Sequence, residues 1–444
     1  MSDIAITEEY PQVGVEGSSA TAGLGKLDLR KAELRKPAFQ VALLTGGQDR
    51  HYAFGLATAL AACGVKVEVI GSDLEDGPEM HRTPGLRFLN LHGSKKKGGA
   101  ASKLKRVVAL YVRLMQYAAS AQPEVFHILW NNQFQLFDRT LLMVYYKALG
   151  KKIVVTAHNV NAGRRYGKDS WFNRFGLGVQ YGLADHIFVH TEKMKEELLR
   201  QFHVQPAAVT TIPYGINNAV PETGMTPTEA KRRLGIMPQE KTILFFGAIK
   251  PYKGLEFLVA AFQQIAGPEA GPDKNYRLII AGERKKGSEE YLDRILGQIA
   301  GSASESRIVR KIEFIPDDET EVYFKAADVA VLPYTEIFQS GILFLAQRFG
   351  LPVIATDVGS FAAEIITGET GYVCKARDAE DIAATIERYF DSDLFRHLGQ
   401  RRREIQQEAL AQHSWDVVGA MTQRAYRDLS DTDGIQKWRS QGEC

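Results

Sequence analysis

The sequence predicts an α/β chain of two Rossmann-like halves facing a cleft, and three observations predict it. Short apolar runs fit for buried parallel strands alternate with helix-spaced patterns along most of the chain. Both halves open in the same way, with a strand, a glycine-containing loop and a helix: Phe39–Leu44 leads into Thr45–His51, and Lys241–Phe246 into Gly247–Gly254. At 444 residues the chain is too long for one ordinary core. The boundaries expected are a poorly ordered tail over 1–37, a first half over 38–222, a second half over 223–413, a last helix over 414–430 and a polar tail over 431–444.

In the first half the strands expected are Phe39–Leu44, Val65–Ile70, Leu86–Leu91, Val125–Leu129, Ile153–Ala157, Ile187–Val189 and Val209–Ile212. Helical patterns cover Ala53–Cys63, Lys103–Tyr117, Arg139–Leu149 and Phe172–Leu183. Gly46-Gly47 after the first strand reads as a tight turn or as a close approach of backbone to a ligand. The full dinucleotide glycine fingerprint is absent there. In Lys103–Tyr117, residues Leu104, Val107, Val108, Tyr111 and Leu114 share one side, as in a helix docked on a sheet. Lys95–Lys97, Lys103, Lys105, Arg106 and Arg113 make 95–113 strongly basic, which also suits peripheral contact with anionic lipid headgroups. His158-Asn159 closes a strand at its carboxyl end, the edge at which open α/β sheets bind ligands. Gly163–Phe175 is rich in Arg and aromatic residues, as an acceptor-binding loop or a docked surface loop would be.

The polar run Asn217–Pro227 reads as a linker between the halves. The loop after Lys241–Phe246 carries Lys250 and Lys253 beside glycine and a helix start, an anion-site candidate. Strands are expected at Arg277–Ala281 and Lys311–Ile315, and helices at Leu255–Ala266, Glu289–Ala300 and Asp317–Ala327. Asp328–Thr356 forms the best-marked βαβ unit: an apolar strand, a polar loop, and a helix that Ser340 caps and Gly350 and Pro352 end, then a strand at Val353–Ala355. Gly341 and the free N–H groups at that helix start suit a phosphate. Helices at Ala379–Tyr389, Leu394–Leu410 and Asp416–Leu429 complete the chain.

With 45% hydrophobic and 24% charged residues the composition is that of a globular protein, and a net charge of +2 argues against nucleic acid as a partner. Three separated cysteines, Cys63, Cys374 and Cys444, have no metal-ligand spacing, which fits a reduced cytoplasmic protein. No apolar run is long enough to span a bilayer.

Three stretches resemble the family 4 glycosyltransferases (glycosyl transferases group 1), which retain anomeric configuration and have the GT-B fold: FFGAIKPYKGLEFL at Phe245–Leu258, PYTEIFQSGILFLAQRFGLPVIATDVGS at Pro333–Ser360, and TAHN at Thr156–Asn159. The resemblance covers nearly the whole chain after the tail. It implies transfer of a sugar from a nucleotide diphosphate sugar, held by the second half, to a glycan, lipid-linked or small-molecule acceptor facing the first. It places the last helix back across the first half, and implies no cofactor beyond the donor and no metal. Polysaccharide biosynthesis in the cytoplasm, with peripheral contact at the inner face of the membrane, is the setting expected. Residue by residue, it implies that Lys250, Lys253 and the amides of Ser340 and Gly341 stabilise the leaving diphosphate. Gly46 and Gly47 would approach the same phosphates, His158 would stand near the donor sugar, and Glu336 would bind sugar hydroxyls.

The chain departs from the family pattern at three places. Ala248 stands where the pattern has Arg, and Ile337 and Leu345 stand where it has two glutamates, so Glu336 is displaced by one residue and the sequence resembles a subgroup of the family with QSG in this loop. The rival readings are a nucleotide-sugar epimerase or phosphorylase on the same fold, and a non-catalytic nucleotide-sugar-binding protein.

Overall fold

In the computed structural model the described residues are 39–93, 99–161, 163, 169–218, 220–267 and 274–441, with side chains up to 430. The expected tail over 1–37 and Lys95–Lys97 lie outside them. So do parts of Gly163–Phe175 and the end of the C-terminal tail. The first half forms a seven-stranded sheet in the order β3-β2-β1-β4-β5-β6-β7. Its strands are β1 (Gln40–Leu44), β2 (Lys66–Gly71), β3 (Leu86–Asn90), β4 (Val125–Ile128), β5 (Lys152–Thr156), β6 (His186–Val189) and β7 (Val209–Thr211). The second half forms a six-stranded sheet in the order β10-β9-β8-β11-β12-β13. Here the strands are β8 (Lys241–Phe246), β9 (Tyr276–Ala281), β10 (Ile308–Lys311), β11 (Val329–Leu332), β12 (Val353–Thr356) and β13 (Gly371–Cys374). Every pairing is parallel. Two Rossmann-like domains make up the fold, as in GT-B proteins.

In both sheets the strand order reverses beside the opening strand, between β1 and β4 and between β8 and β11. The loops after β1 and β8 therefore open at topological switch points, where α/β sheets place ligands. Helices cover both faces. Ala100–Ser120, Leu141–Ala148 and Trp171–Leu183 pack on one face of the first sheet. Arg50–Ala62 packs on the other, together with the last helix, Trp415–Gln441. That helix crosses back onto the first sheet as expected. Trp415 anchors it: its ring fills the space a Cβ would need at Gly55 and Gly215, and its Nε1 donates to the Ile216 carbonyl at 2.6 Å. Burying such a side chain contributes about 1.5–3 kcal/mol.

Three expectations are corrected. The strand expected at Lys311–Ile315 lies at Ile308–Lys311. As the sheet edge, β10 pairs only with β9 and needs few apolar residues, whereas the apolar run beyond it leaves the sheet and exposes Phe314. The edge strand β13 was not expected: it is only four residues long and starts at Gly371, where a Cβ would meet the Val353 carbonyl at 1.8 Å. The polar segment after Tyr214 is no loose tether. Ile216 and Val220 are buried, Ile216 N–H donates to the His413 carbonyl at 3.0 Å, and Thr223 N–H donates to Glu321 at 3.0 Å.

Candidate active site

A cleft of about 320 Å³ opens between the two sheets. Asp49, His51 and Tyr52 line it from the first half, Tyr252, Lys253 and Ile337–Ile342 less Phe338 from the second, and Tyr214 and Trp415 from the crossing segments. The loops of the second half are locked to each other. Gly254 adopts φ +65°, and a Cβ there would lie 2.0 Å from the Pro333 carbonyl, so only glycine permits the approach. The Thr335 N–H donates to the Tyr252 carbonyl at 2.8 Å. Ser340 caps the Gly341–Arg348 helix, its Oγ accepting from the Ile342 N–H at 3.3 Å, and the helix start faces the cleft.

Lys253 is the cation of this cleft. It is only 6% exposed, its Nζ stands 5.2 Å from the centre of the Tyr334 ring, and it has no carboxylate partner among the described residues. Burial pushes its pKa down to about 8. A buried ammonium without an acid is costly, and an anion entering the cleft removes that cost. Ser340 and Gly341 share the lining with Lys253, whereas Lys250 is half-buried, rests 5.9 Å from the Tyr252 ring centre and is not part of the lining.

The loop residues divide differently from the expectation. Glu336 is exposed and outside the lining; Ile337 and Gln339 are in it. The polar end of the Gln339 side chain is buried beside Glu364, whose carboxylate its amide nitrogen helps to hold charged, so the amide oxygen is the atom left for a ligand. Sequence reasoning passed over Gln339 because a lone glutamine has no chemical signature. Its signal was its place two residues before Gly341.

His158 is buried one ring behind the cleft. It stacks on Trp130 at 4.3 Å and meets the cleft-lining Tyr52 edge-on at 4.7 Å. Its Nδ1 lies 3.0 Å from His190 Nε2, and His190 Nδ1 lies 3.3 Å from the Ile212 carbonyl. Burial holds both rings neutral, His190 with a pKa lowered to about 4 and His158 well below the ordinary value. A carbonyl only accepts, so His190 carries its proton on Nδ1 and accepts at Nε2. His158 then donates from Nδ1 and leaves Nε2 as a bare acceptor. That Nε2 is buried and unpartnered, so the pair presents an acceptor for a hydroxyl proton.

Gly46 and Gly47 lie elsewhere. Both have positive φ, and they line a second cavity of about 240 Å³ over the first sheet, with Ser72, His92, Asn132, Lys103 and Arg106. A Cβ at Gly46 would lie 2.8 Å from the Trp130 and Asn131 carbonyls, and one at Gly47 2.9 Å from His92 Nδ1. Neither Lys103 nor Arg106 pairs with a carboxylate among the described residues, and no acidic residue lines the cavity.

The comparisons with known proteins bear on both halves. The glycosyl transferases group 1 family matches residues 240–392, and Glycosyltransferase Family 4 matches residues 45–220. The chain belongs to the family 4 glycosyltransferases. This glycosyltransferase is 26% identical to the D-inositol 3-phosphate glycosyltransferase of Corynebacterium diphtheriae, over 87% of the chain and 90% of that relative. Its fold matches sucrose-phosphate synthase from Thermosynechococcus elongatus with a TM-score of 0.70, at 22% identity over 89% of the chain and all (100%) of that protein. Anabaena HepE, solved with UDP-glucose, matches with a TM-score of 0.66 at 14% identity, over 88% of the chain and 99% of HepE.

Proposed function

We propose that this glycosyltransferase moves a sugar from a nucleotide diphosphate sugar to an acceptor with retention of configuration, and that the charge on the leaving diphosphate is met by the protein without a metal. One observation carries this reading: Lys253 is a buried, unpaired cation in a cleft that also receives a helix start. Charge developing on the leaving phosphate would be stabilised there by the ammonium and by the Ser340 and Gly341 amides, with Lys250 at the rim. The Gln339 amide oxygen in the lining is suited to a hydroxyl of the donor sugar, and the bare Nε2 of His158 would meet another only if the Tyr52 ring in front of it turned aside. In this reading the departing phosphate oxygen takes the acceptor proton, as the family resemblance implies, and Asp49 is the acidic residue that lines the cleft beside it.

On this reading the acceptor would enter the cavity over Gly46-Gly47. Lys103 and Arg106 on its wall favour an acceptor that carries an anionic group, and Ser72 and Asn132 suit its hydroxyls. Inositol phosphate, the acceptor in the name of the Corynebacterium relative, is therefore the first acceptor to try, and UDP-glucose, bound in HepE, the first donor.

The test is product analysis of the purified chain with a panel of nucleotide diphosphate sugars and phosphorylated polyols, with and without chelator. A glycoside of retained configuration, formed at an unchanged rate in chelator, is expected. An epimer, a sugar phosphate, or tight donor binding with neither transfer nor hydrolysis would replace this reading with a rival one. Strict dependence on added divalent metal would reject the metal-free step.

A further inference from the structure

The helices on one face of the first sheet bury apolar side chains against it and leave others exposed on their outer side. Among the described residues, twelve of the seventeen large apolar side chains that stand exposed fall between Leu104 and Phe175. A few exposed apolar residues are ordinary, but a contiguous set marks an interaction surface.

These residues are contiguous. On the Ala100–Ser120 helix, Val107, Leu110 and Leu114 are buried against the sheet, while Leu104, Val108, Val112 and Met115 stand exposed on the adjoining side. The apolar arc of this helix is thus wider than the sheet can cover, although the sequence alone places Leu104 and Val108 with the buried set. Tyr111 joins the helix to its neighbour through Phe134 at 6.2 Å and Phe137 at 4.9 Å, and the Tyr145 hydroxyl donates to the Met115 carbonyl at 3.1 Å. Leu136 reaches Gly176, where a Cβ would lie 3.3 Å from its Cδ1, and so connects to the start of the Trp171–Leu183 helix. There Trp171 is 70% exposed, Phe172 62% and Phe175 50%, with Trp171 stacked on Phe175 at 5.5 Å.

Charge decides what covers this face. The Ala100–Ser120 helix has four basic residues, Lys103, Lys105, Arg106 and Arg113, and no acidic one. From Ala100 to Lys152 the chain carries eight Lys or Arg against only Glu124 and Asp138, and even with Arg139 buried and Lys147 paired to Asp185 at 2.8 Å the balance stays positive. Two copies meeting through such a face would set like charges together, whereas an anionic surface complements it. Aromatic and aliphatic side chains flanked by Lys and Arg are the pattern of a helix that lies in a lipid interface. No helix among the described residues is long and apolar enough to cross a membrane.

We propose that the outer face formed by the Ala100–Ser120, Gln135–Arg139, Leu141–Ala148 and Trp171–Leu183 helices docks on an anionic lipid bilayer. Leu104, Val108, Trp171 and Phe175 enter the acyl boundary, and Lys105 and its basic neighbours meet the headgroups. The cavity over Gly46-Gly47, with Lys103 and Arg106 on its wall, adjoins this face, so docking brings it beside the membrane surface.

The test is flotation of the full chain with phosphatidylcholine vesicles, with and without phosphatidylglycerol, at low and physiological ionic strength. Capture by phosphatidylglycerol vesicles alone, weakened by salt and accompanied by a blue shift of tryptophan emission, is expected. The Trp171→Glu/Phe175→Glu pair should weaken capture about tenfold or more, and so should Leu104→Glu/Val108→Glu. All four side chains are exposed, so thermal unfolding should be unchanged. No capture at low ionic strength overturns the proposal, as does capture that survives both pairs. Equal capture by phosphatidylcholine alone overturns the anionic assignment. A dimer in light scattering that Trp171→Glu splits, with no vesicle capture, assigns the face to a second copy instead. None of these readouts depends on the donor or the acceptor.

Discussion

The loops after β1 and β8 hold the same place in their sheets, and they handle charge in opposite ways. The β8 loop sinks one lysine, Lys253, to 6% exposure with no carboxylate partner among the described residues. The β1 loop brings no free cation to its cavity, since Arg50 pairs with Glu79; its two glycines lay bare backbone against a cavity whose cations, Lys103 and Arg106, come from a helix and remain partly solvated. A charge is worth more the less water surrounds it. The fold thus makes an anion-ready position twice, and the depth of the cation separates the two; under the proposed reading the deeper one would hold the donor diphosphate and the shallower one the acceptor.

The largest effect is expected at Lys253. Lys253→Met should lower donor affinity or turnover about ten- to a hundredfold, the loss of a charge-assisted contact of about 1.5–3 kcal/mol. It should also stabilise the ligand-free protein. The folded pKa is depressed from 10.5 to about 8, so the cost of the buried charge is fully present below about pH 8 and is relieved as the pH rises toward 10.5. A raised melting temperature at pH 7 with weaker nucleotide binding checks both. In the parent, donor affinity should fall as the pH passes above about 8, because the ammonium loses its proton there. A donor constant unmoved by the substitution would remove the contrast between the loops.

Next comes Gln339→Leu, which leaves ligand hydroxyls unpaired and should cost about tenfold in sugar transfer with nucleotide binding nearly intact. A similar loss, up to about tenfold and in kcat more than KM, is expected for His190→Leu, which removes the acceptor that fixes the His158 tautomer. His190→Gln, whose Oε1 still accepts from His158, should restore much of it. Nitrogen-15 spectra of the labelled histidines would read the tautomer directly, and a protonated His158 Nε2 in the parent would sink the relay.

On the other side of the comparison, Lys103→Ala or Arg106→Ala should raise the acceptor KM about two- to fivefold, an effect that shrinks with added salt because these cations are solvated. A salt-independent loss as large as that at Lys253 would show that depth does not separate the sites. The smallest effect is expected at Glu336. Exposed and outside the lining, Glu336→Gln should change transfer less than about twofold. A tenfold loss would return the sugar contact from Gln339 to Glu336.

All seven strands of the first sheet were legible because each is a short apolar run bounded by polar loops. The edge strand β10 was misplaced because a strand paired on one side can do with fewer apolar residues, and β13 was missed because it is only four residues long and opens on glycine. Likewise the Ser340 cap and the Gly350 stop stood in the sequence, as local chemistry that every helix must satisfy.

Periodicity, caps and glycine loops are short-range, and by themselves they determined two α/β halves, the switch-point loops and the basic, apolar-rich helix over 100–120. Long-range packing decided the rest. It buried Lys253 while leaving Lys250 at the surface, turned Gln339 rather than Glu336 into the cleft, and carried Gly46-Gly47 to a separate cavity. It also set His158 against His190, 32 residues away. It left half of an apolar helix face uncovered, because the sheet beneath is narrower than the arc the sequence drew. Hydrophobic spacing reports only that a side chain avoids water; whether a sheet, a ligand or a membrane receives it is fixed by what the rest of the chain brings alongside.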